Sequence, residues 1–380
     1  MKNINLFVPH FRNEEIIEHI NECLNKGWTG LGYKTLEIEN EWKKYTKMPY
    51  AHFLNSSTSG LHLAVKILKD TNKWKDGDEI ITTPLTFVST NHAIAYERLK
   101  PVFADVDEYL CLDPKSVENK ITKKTKAIMF VGIGGNIGQY FSIVDLCKKY
   151  KLKLILDAAH MAGTKIAGGK HVGSEADVTV FSFQAVKNLP TADSGMICFK
   201  NEDYDVLARK LSWLGIDKDT YNRTNDKGTY KWEYDLVDVG FKYHGNSIIA
   251  SMALVGLKYL EEDNKRRREI CEIYESYFKK TPIKSIQMSK DTAVASRHLY
   301  QIIVPNRNKI MEYLNTQGIY PGVHYRDNTC YDIYSYNHGT CPMSHAVSEE
   351  LISLPLHMKL TNEDIKYVAE KVIEGYNLFV

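Results

Sequence analysis

The chain has 380 residues, with 49 Lys or Arg and 47 Asp or Glu, so its formal net charge is +2. Charged residues make up 25% and hydrophobic residues 43% of the sequence, which is typical of a globular protein with a buried core. The near-zero charge argues against general nucleic-acid binding, which requires a concentrated basic surface. The composition also excludes the collagen-like, coiled-coil and disordered classes.

The apolar runs are too short to cross a membrane, which takes roughly 20 residues. Near the N-terminus the apolar stretch from Leu6 to Val8 is also too short for a signal peptide. The seven cysteines are odd in number and scattered, which suits reduced thiols better than disulfides. We therefore expect a cytoplasmic protein with neither membrane nor nucleic-acid partners.

The first 46 residues predict two helices separated by a glycine-containing loop. Apolar residues recur at helical spacing in 14–26, and a second helix is predicted over 35–46. The apolar face of the first helix carries Ile16, Ile17, Ile20 and Leu24.

From residue 60 to residue 199 the chain repeats one pattern, in which a short apolar run alternates with an amphipathic helix. Such alternation predicts an α/β fold with a mainly parallel sheet and helices on both faces. The predicted strands are 79–84, 101–106, 126–132, 153–158, 178–183 and 195–199. The predicted helices include 60–68, 89–97 and 142–150.

The pattern changes in the second half of the chain. The polar and aromatic segment 216–238 predicts a long loop, and 246–279 predicts a long helix. The charged run 261–269 inside this helix predicts a solvent-exposed face. We expect a large domain over 1–245 and a smaller C-terminal α+β domain over 246–380.

Three groups of polar residues near predicted strand ends could hold a ligand. Thr58 and Ser59 precede a helix, where they could cradle a phosphate or simply cap the helix. Lys187 follows the strand 178–183 and, if desolvated, would attack a carbonyl carbon. Asp157 ends another strand and would need a partner such as a cationic ring nitrogen, and His160 could pack over a ligand or belong to the core.

Two further patterns compete with these groups. The segment from Gly132 to Gly138 lies between a strand and a helix and partly matches a dinucleotide-binding loop, which suggests an NAD(P)-dependent oxidoreductase. A set of zinc-ligand types near the C-terminus lacks the usual paired-cysteine spacing, so no metal site is expected. That set comprises Cys330, His338, Cys341 and His345.

Taken in order, motifs along nearly the whole chain resemble the DegT/StrS family of sugar aminotransferases. They include NSSTSGLHLAV, PLTFVST, LDAAH, FSFQAVKN, DSGMI and SLPLHMKLT. The resemblance implies fold type I of the enzymes that use pyridoxal 5'-phosphate (PLP), with a mainly parallel seven-stranded sheet in the large domain. It also implies a homodimer whose active sites lie at the subunit interface.

The resemblance assigns a role to each matching position. Lys187 matches the catalytic lysine that bonds to the PLP aldehyde and then carries the proton, and Asp157 matches the partner of the pyridinium nitrogen. The remaining cofactor-binding positions are Thr58, Ser59 and Ser182 at the phosphate, Phe87 and His160 at the ring, and Lys242. His324 and Tyr325 match a pair that lines the acceptor pocket.

Two departures from the family pattern concern the subunit boundary and the substrate mouth. Lys242 stands where the family often has an asparagine that reaches the partner's cofactor phosphate, and Asn246 is the alternative for that role. The glycines of 132–138 replace a His-aromatic-Gly turn and suggest a different acceptor. The tyrosine-rich stretch 220–243 could line the interface or pack as an ordinary loop; its tyrosines are Tyr221, Tyr230, Tyr234 and Tyr243.

The resemblance therefore predicts transfer of an amino group, with L-glutamate as the expected donor, to a keto-sugar. We expect this acceptor to be nucleotide-linked and to serve surface-polysaccharide biosynthesis. A smaller phosphorylated ketone is the alternative acceptor. An oxidoreductase, or a PLP-binding regulatory protein without catalysis, is the alternative of another class.

Overall fold

The computed structural model describes residues 3–217 and 234–380. Its strands, numbered in chain order, are β1 Ile4–Asn5, β2 Tyr50–Leu54, β3 Glu79–Thr82, β4 Lys100–Phe103, β5 Thr125–Val131, β6 Lys153–Asp157, β7 Lys165–Ile166, β8 Val178–Ser182, β9 Gly195–Phe199, β10 Lys284–Ser285, β11 Thr292–Val294, β12 Tyr300–Ile303, β13 Ile319–Tyr320 and β14 Leu351–Leu354.

Helices cover both faces of the strands and continue into the C-terminal part. In chain order they are α1 Asn13–Asn25, α2 Tyr33–Thr46, α3 Ser57–Thr71, α4 Val88–Tyr96, α5 Pro114–Lys120, α6 Tyr140–Tyr150, α7 Glu202–Ser212, α8 Ser247–Phe278, α9 Arg307–Thr316, α10 Pro342–Glu350 and α11 Asn362–Phe379.

Seven of the described strands form the central sheet in the order β2-β9-β8-β6-β5-β3-β4. The pairs among β8, β6, β5, β3 and β4 are parallel, whereas β9 is antiparallel to both β8 and β2. The sheet is therefore mainly parallel, as predicted for fold type I. The parallel strands all end at the same edge, where ligands bind in open α/β sheets.

The C-terminal part contains a second, antiparallel sheet in the order β10-β12-β14. Two short strand pairings connect the C-terminal part to the first half of the chain. In one, β1 is parallel to β13, and in the other, β7 is antiparallel to β11. Helix α8 contributes Leu254 to the core of the central sheet and Ile270 to the C-terminal core. The division at residues 245 and 246 stays a prediction, since this helix serves both cores.

Two features of the helices differ from the simplest sequence interpretation. In α1, Ile16 is buried, but Ile17 and Leu24 are 55% and 56% exposed, so the apolar face is wider than the buried one. In the charged run 261–269, Asp263 and Arg267 are buried, so this is not a wholly solvent-exposed face. Their partners are Arg12, which donates to the Asp263 carboxylate, and the Leu356 carbonyl, which accepts from Arg267.

The tyrosine-rich stretch is described only in part. Tyr221 and Tyr230 lie outside the described residues. Tyr243 stacks on Phe241 with ring centroids 4.8 Å apart, and its hydroxyl lies 3.1 Å from His62 Nδ1. Tyr234 is 48% exposed. Tyr243 therefore packs within its own chain, and an interface role for Tyr234 stays a prediction.

Candidate active site

A cavity of about 420 Å³ lies at the carboxyl edge of the central sheet. The ends of β5, β6 and β8 meet there with the first turn of α3 and with residues of the C-terminal part. Its volume is in the range of sites that enclose small ligands. The predicted residues that line it are Thr58, Phe87, Asp157, His160, Ser182, Lys187, His324 and Tyr325.

Asp157 is the last residue of β6, so its carboxylate lies at the sheet edge and is only 4% exposed. One carboxylate oxygen accepts a hydrogen bond from Thr90 Oγ1 at 2.8 Å, and the other accepts from the Ala159 amide at 3.1 Å. Burial raises the pKa of Asp157, while the hydrogen bond from Thr90 opposes that shift. The carboxylate is thus held in place and retains lone pairs for a cationic ligand.

Lys187 lies in the loop after β8, in a turn where its amide donates to the Gln184 carbonyl at 2.8 Å. Among the described residues, no hydrogen bond or ion pair engages its ammonium group. Burial lowers the pKa of Lys187 to about 8, although Asp157 partly opposes the shift. A lysine with this pKa is roughly one-tenth uncharged at pH 7, far more than an ordinary lysine, and a nucleophilic amine must be uncharged.

The first turn of α3 presents small polar residues to the cavity. Ser56 caps the helix through a hydrogen bond from the Ser59 amide to its hydroxyl, and Ser57 and Thr58 line the cavity. Amides in a first helical turn lack intrahelical acceptors and favour a bound anion. Ser59 does not line the cavity, because its hydroxyl is directed to Asn55 at 2.7 Å.

Ser182 and Phe87 flank this turn and also line the cavity. Ser182 ends β8, and its hydroxyl accepts a hydrogen bond from the Gln184 amide at 3.4 Å, so its own hydrogen remains available. Phe87 precedes α4 and is 58% exposed, with its ring centroid 6.1 Å from that of Tyr325. An exposed aromatic ring beside a cavity is suited to stacking on a flat ligand.

The hydrogen bonds of His160 fix its tautomer. The Gly134 amide donates to His160 Nδ1 at 3.1 Å, so the hydrogen of the neutral ring is on Nε2. Burial lowers the pKa of His160 well below its usual value, and this keeps the ring neutral. Nε2 then donates to the Tyr325 hydroxyl at 3.1 Å. The hydroxyl hydrogen of Tyr325 is consequently free to bond a ligand in the cavity.

His324 forms the wall beside Tyr325. Its Nδ1 lies 3.0 Å from Ser353 Oγ in the C-terminal sheet. Burial lowers the pKa of His324 to about 4, and the nearby Lys187 acts in the same direction. The side chain is therefore neutral near pH 7 and contributes polarity without charge.

Lys242 and Asn246 do not line the cavity of their own chain. Lys242 is exposed, and its ammonium lies 3.3 Å from the centroid of the Trp213 ring. Asn246 caps α8 by accepting a hydrogen bond from the Ile249 amide at 2.9 Å. Of the two, Lys242 has the more accessible side chain, whereas Asn246 has a local structural role.

The glycine-rich segment packs against the C-terminal part. Gly134 and Gly135 have positive φ angles of 62° and 90°, and a Cβ on Gly135 would lie 2.3 Å from Ser296 Oγ. The following helix begins only at Tyr140. The segment therefore supports His160 and contacts Ser296. A 3-10 turn over Ile133–Gly135 separates the strand from the following helix, whereas the glycines of a dinucleotide-binding loop lead from the strand directly into the helix.

Two supporting residues were missed by sequence reasoning. Thr90 lies two residues into α4, where it resembled an ordinary helix residue. Asn188 anchors the lysine loop through hydrogen bonds of 2.7 Å to both Asn264 and the Ser296 carbonyl. Only the position of Asn188 next to Lys187 could have suggested it, since its partners lie 76 and 108 residues away.

The candidate zinc ligands are brought together only in part. Cys330 and His345 approach each other and also meet Asp327, which the sequence interpretation did not consider. The ring of His338 lies 5.7 Å from that of His345. Cys341 is buried and does not belong to the group.

The cavity fits the three chemical groups of PLP. The first turn of α3 suits the phosphate, Asp157 suits a protonated ring nitrogen, and the amine of Lys187 suits the aldehyde. The three lie around one cavity whose size matches a small ligand. Fold and site together define a PLP-dependent enzyme of fold type I.

Residues 11–373 match the DegT/DnrJ/EryC1/StrS aminotransferase family, and the chain belongs to that family. It is 35% identical to the uncharacterized protein MJ1066 of Methanocaldococcus jannaschii, over 96% of this chain and 97% of that protein. It is 31% identical to the spore coat polysaccharide biosynthesis protein SpsC of Bacillus subtilis, over 97% of each.

Solved structures agree with this family. The PLP form of Spr1654 from Streptococcus pneumoniae is 29% identical, with a TM-score of 0.91 and coverage of 100% of both chains. The form of the same protein with pyridoxamine 5'-phosphate (PMP) has the same TM-score, and the match covers 98% of this chain and 99% of that one. The protein is thus a PLP-dependent aminotransferase of a sugar aminotransferase family, and the oxidoreductase hypothesis is replaced.

Within the described residues, no helix is both long enough and apolar enough to span a membrane.

Proposed function

We propose that this aminotransferase moves an amino group from L-glutamate to a nucleotide-linked keto-sugar used in surface-polysaccharide biosynthesis. The observation that carries the proposal is the convergence of Lys187, Asp157 and the first turn of α3 on one cavity. The name of SpsC, a spore coat polysaccharide biosynthesis protein, supports the assignment to polysaccharide synthesis. We also propose that the reaction takes place in the cytoplasm.

Bound PLP would supply an aldehyde carbon that accepts the amino group and a ring that withdraws electrons from the reacting carbon. Thr58 and Ser182 would bind the phosphate, and Phe87 and His160 would hold the two faces of the ring. Asp157, fixed by Thr90, would keep the ring nitrogen protonated. These residues position the cofactor before any substrate enters.

Lys187 would carry the proton between the substrate carbon and the cofactor. Its lowered pKa, about 8, makes it a base that accepts and returns a proton at little cost near neutral pH. Tyr325 would donate its free hydroxyl hydrogen to an oxygen of the acceptor, and His324 would line the same wall. Both residues are therefore proposed to orient the acceptor.

We further propose a homodimer in which Lys242 of one chain reaches the cofactor phosphate bound by the other. Lys242 is an exposed residue and does not line the cavity of its own chain, and both observations support this arrangement. A lysine meets a phosphate as a compact charge, so it could replace the family's asparagine.

The function is tested with the purified holoenzyme in two half-reactions. First, L-glutamate is added alone, and we expect the cofactor to become its amine form while 2-oxoglutarate is released. The amine form is then offered nucleotide-linked keto-sugars, unlinked keto-sugars and small phosphorylated ketones. The proposal is supported if a nucleotide-linked keto-sugar restores the aldehyde form faster than the other two classes of acceptor do.

Other outcomes would revise specific parts of it. Preference for a phosphorylated ketone would replace the sugar acceptor. A cofactor that glutamate leaves unchanged, but another amino acid converts, would replace the donor. If no amino acid converts the bound cofactor, a regulatory protein without catalysis would be the better description.

A further inference from the structure

We propose that Asp327, Cys330 and His345 form a binding site for a divalent cation of the zinc class, separate from the PLP cavity. They offer a carboxylate, a thiolate and an imidazole, the ligand types that zinc prefers. Their ligand atoms all lie within 4.8 Å of one another. None of the three lines the cavity described above.

The distances suit a tetrahedral ion. His345 Nδ1 lies 3.3 Å from Asp327 Oδ2 and 3.9 Å from Cys330 Sγ. Ordinary zinc bond lengths at tetrahedral angles put neighbouring ligand atoms about 3.3 to 3.6 Å apart. Both distances from His345 are therefore within a few tenths of an ångström of zinc geometry, and the ligand atoms of Asp327 and Cys330 lie within 4.8 Å of each other.

The local structure fixes one ligand and leaves the others adjustable. Asp327 is 1% exposed, and its Oδ1 accepts a hydrogen bond from the Thr329 amide at 2.8 Å, which leaves Oδ2 for His345. Cys330 ends the short 3-10 turn that follows Asp327, and His345 lies in α10. An ion could enter from solvent, because the His345 side chain is 46% exposed.

The charges also favour a dication. The carboxylate of Asp327 and a thiolate of Cys330 would together neutralise it, and the neutral imidazole of His345 would complete three ligands. The ring of His338 lies edge to face with that of His345 at 5.7 Å, so the fourth position is within reach of this imidazole or of water. An ordinary ion pair between Asp327 and His345 would not require Cys330.

The site has a structural connection to the PLP cavity. Asn328, next to Asp327, donates its amide to the Pro84 carbonyl at 2.9 Å and its side chain to the Thr86 carbonyl at 2.8 Å. Those carbonyls belong to the loop that carries Phe87. A bound ion would therefore tie α10 to the segment that supports the aromatic wall of the cavity.

Zinc binding is measured by equilibrium dialysis of the chelator-treated holoenzyme against Zn²⁺, with elemental analysis of bound metal. We expect one zinc per chain in the wild type. Cys330→Ser and His345→Ala should each weaken binding about tenfold or more, because each removes one ligand from three. Cys147→Ser, which removes a buried thiol in α6, is the matched control and should bind like the wild type.

A second measurement reports on Cys330 directly. Six of the seven thiols are buried, and Cys330 alone is partly exposed. Zinc should slow alkylation of Cys330, mapped by mass spectrometry, in the wild type and much less in His345→Ala. Far-ultraviolet circular dichroism checks that the variants are folded.

The proposal is overturned if the wild type binds no zinc, or if Cys330→Ser and His345→Ala together leave its stoichiometry and affinity unchanged. It is also overturned if zinc leaves the alkylation of Cys330 unaffected. None of these readouts depends on aminotransferase activity, so failure of the proposed function would leave them interpretable.

Discussion

Lys187 has the most informative environment of any single residue. The sequence predicted its position at the sheet edge from the apolar strand before it, and the cavity now surrounds it. Within the part of the chain that the structure describes, its ammonium group has no hydrogen-bond partner, and this could not be predicted because it depends on packing by loops distant in sequence. The lowered pKa follows from this enclosure.

The first prediction concerns the pH dependence of cofactor capture. Folding lowers the pKa of Lys187 from 10.5 to about 8, so the reactive neutral amine becomes abundant as the pH rises through 8. The rate of PLP attachment to the apoprotein should rise with a midpoint near pH 8, measured by stopped-flow absorbance. A midpoint near 10.5 would contradict the assigned environment.

The control for that experiment is Asp157→Asn. The Asp157 carboxylate raises the pKa of Lys187, so its removal should move the midpoint to lower pH.

The lowered pKa of Lys187 also makes the stability of the folded state depend on pH. Since the unfolded chain holds the lysine proton up to a higher pH, this residue should make the folded state more stable as the pH rises from about 8 to 10.5.

A second prediction concerns Thr90, which holds one oxygen of Asp157. Thr90→Val keeps the shape of the side chain but removes the hydrogen bond of 2.8 Å. We expect kcat/KM to fall about tenfold, equivalent to about 1.4 kcal/mol, which is typical of a hydrogen bond to a charged group.

The double variant separates positioning from general damage. If Thr90 acts through Asp157, Thr90→Val should have little further effect in the Asp157→Asn background. Equal losses in both backgrounds would mean that Thr90 does not act through the carboxylate.

At the scale of elements, the apolar runs predicted six of the seven strands of the central sheet. The missing one is β2, which carries His52 at its centre. His52 lies between Glu39 and Ser212, with hydrogen-bond distances of 2.9 and 2.8 Å. A buried polar residue that is satisfied from two helices interrupts the apolar pattern, so local sequence could not reveal this strand.

Helix α3 gives the third prediction, since sequence reasoning selected two adjacent residues of its first turn. Thr58 lines the cavity, whereas the Ser59 hydroxyl is bonded to Asn55. Thr58→Val should weaken PLP binding about tenfold if its hydroxyl bonds the phosphate. Ser59→Ala should leave PLP affinity unchanged. Equilibrium titration of the apoprotein with PLP measures both, and equal affinities would contradict the proposed phosphate site.

For the whole molecule, the proposed dimer gives the fourth prediction. If Lys242 completes the partner's site, a dimer in which both chains carry Lys187→Ala should be weakly active. A dimer in which both chains carry Lys242→Ala should also be weakly active. Co-expressed, the two variant chains should form mixed dimers in which one site has both lysines, restoring about one quarter of the wild-type activity. Differently tagged chains allow the mixed dimer to be purified and assayed. No recovery of activity would place Lys242 outside the partner's site.

The predicted division into a large and a small domain did not include the contacts that connect the two parts of the chain. Sequence patterns are local, and the division at residues 245 and 246 was placed where the long helix is predicted to begin. The structure instead pairs Ile4 with Ile319 and extends α8 through both cores. Short pairings such as β1 with β13 carry little periodicity, so they are visible only in three dimensions.

The pairing of β1 with β13 has a consequence for the order in which the protein matures on the ribosome. Residues 4 and 5 leave the exit tunnel before their partners at 319 and 320, which are translated more than three hundred residues later. The N-terminal segment must therefore wait, unpaired, through most of translation. Since long-range contacts form slowly, closing this pair should be a late step of biogenesis, after the central sheet, whose strands lie within residues 50–199, has already folded.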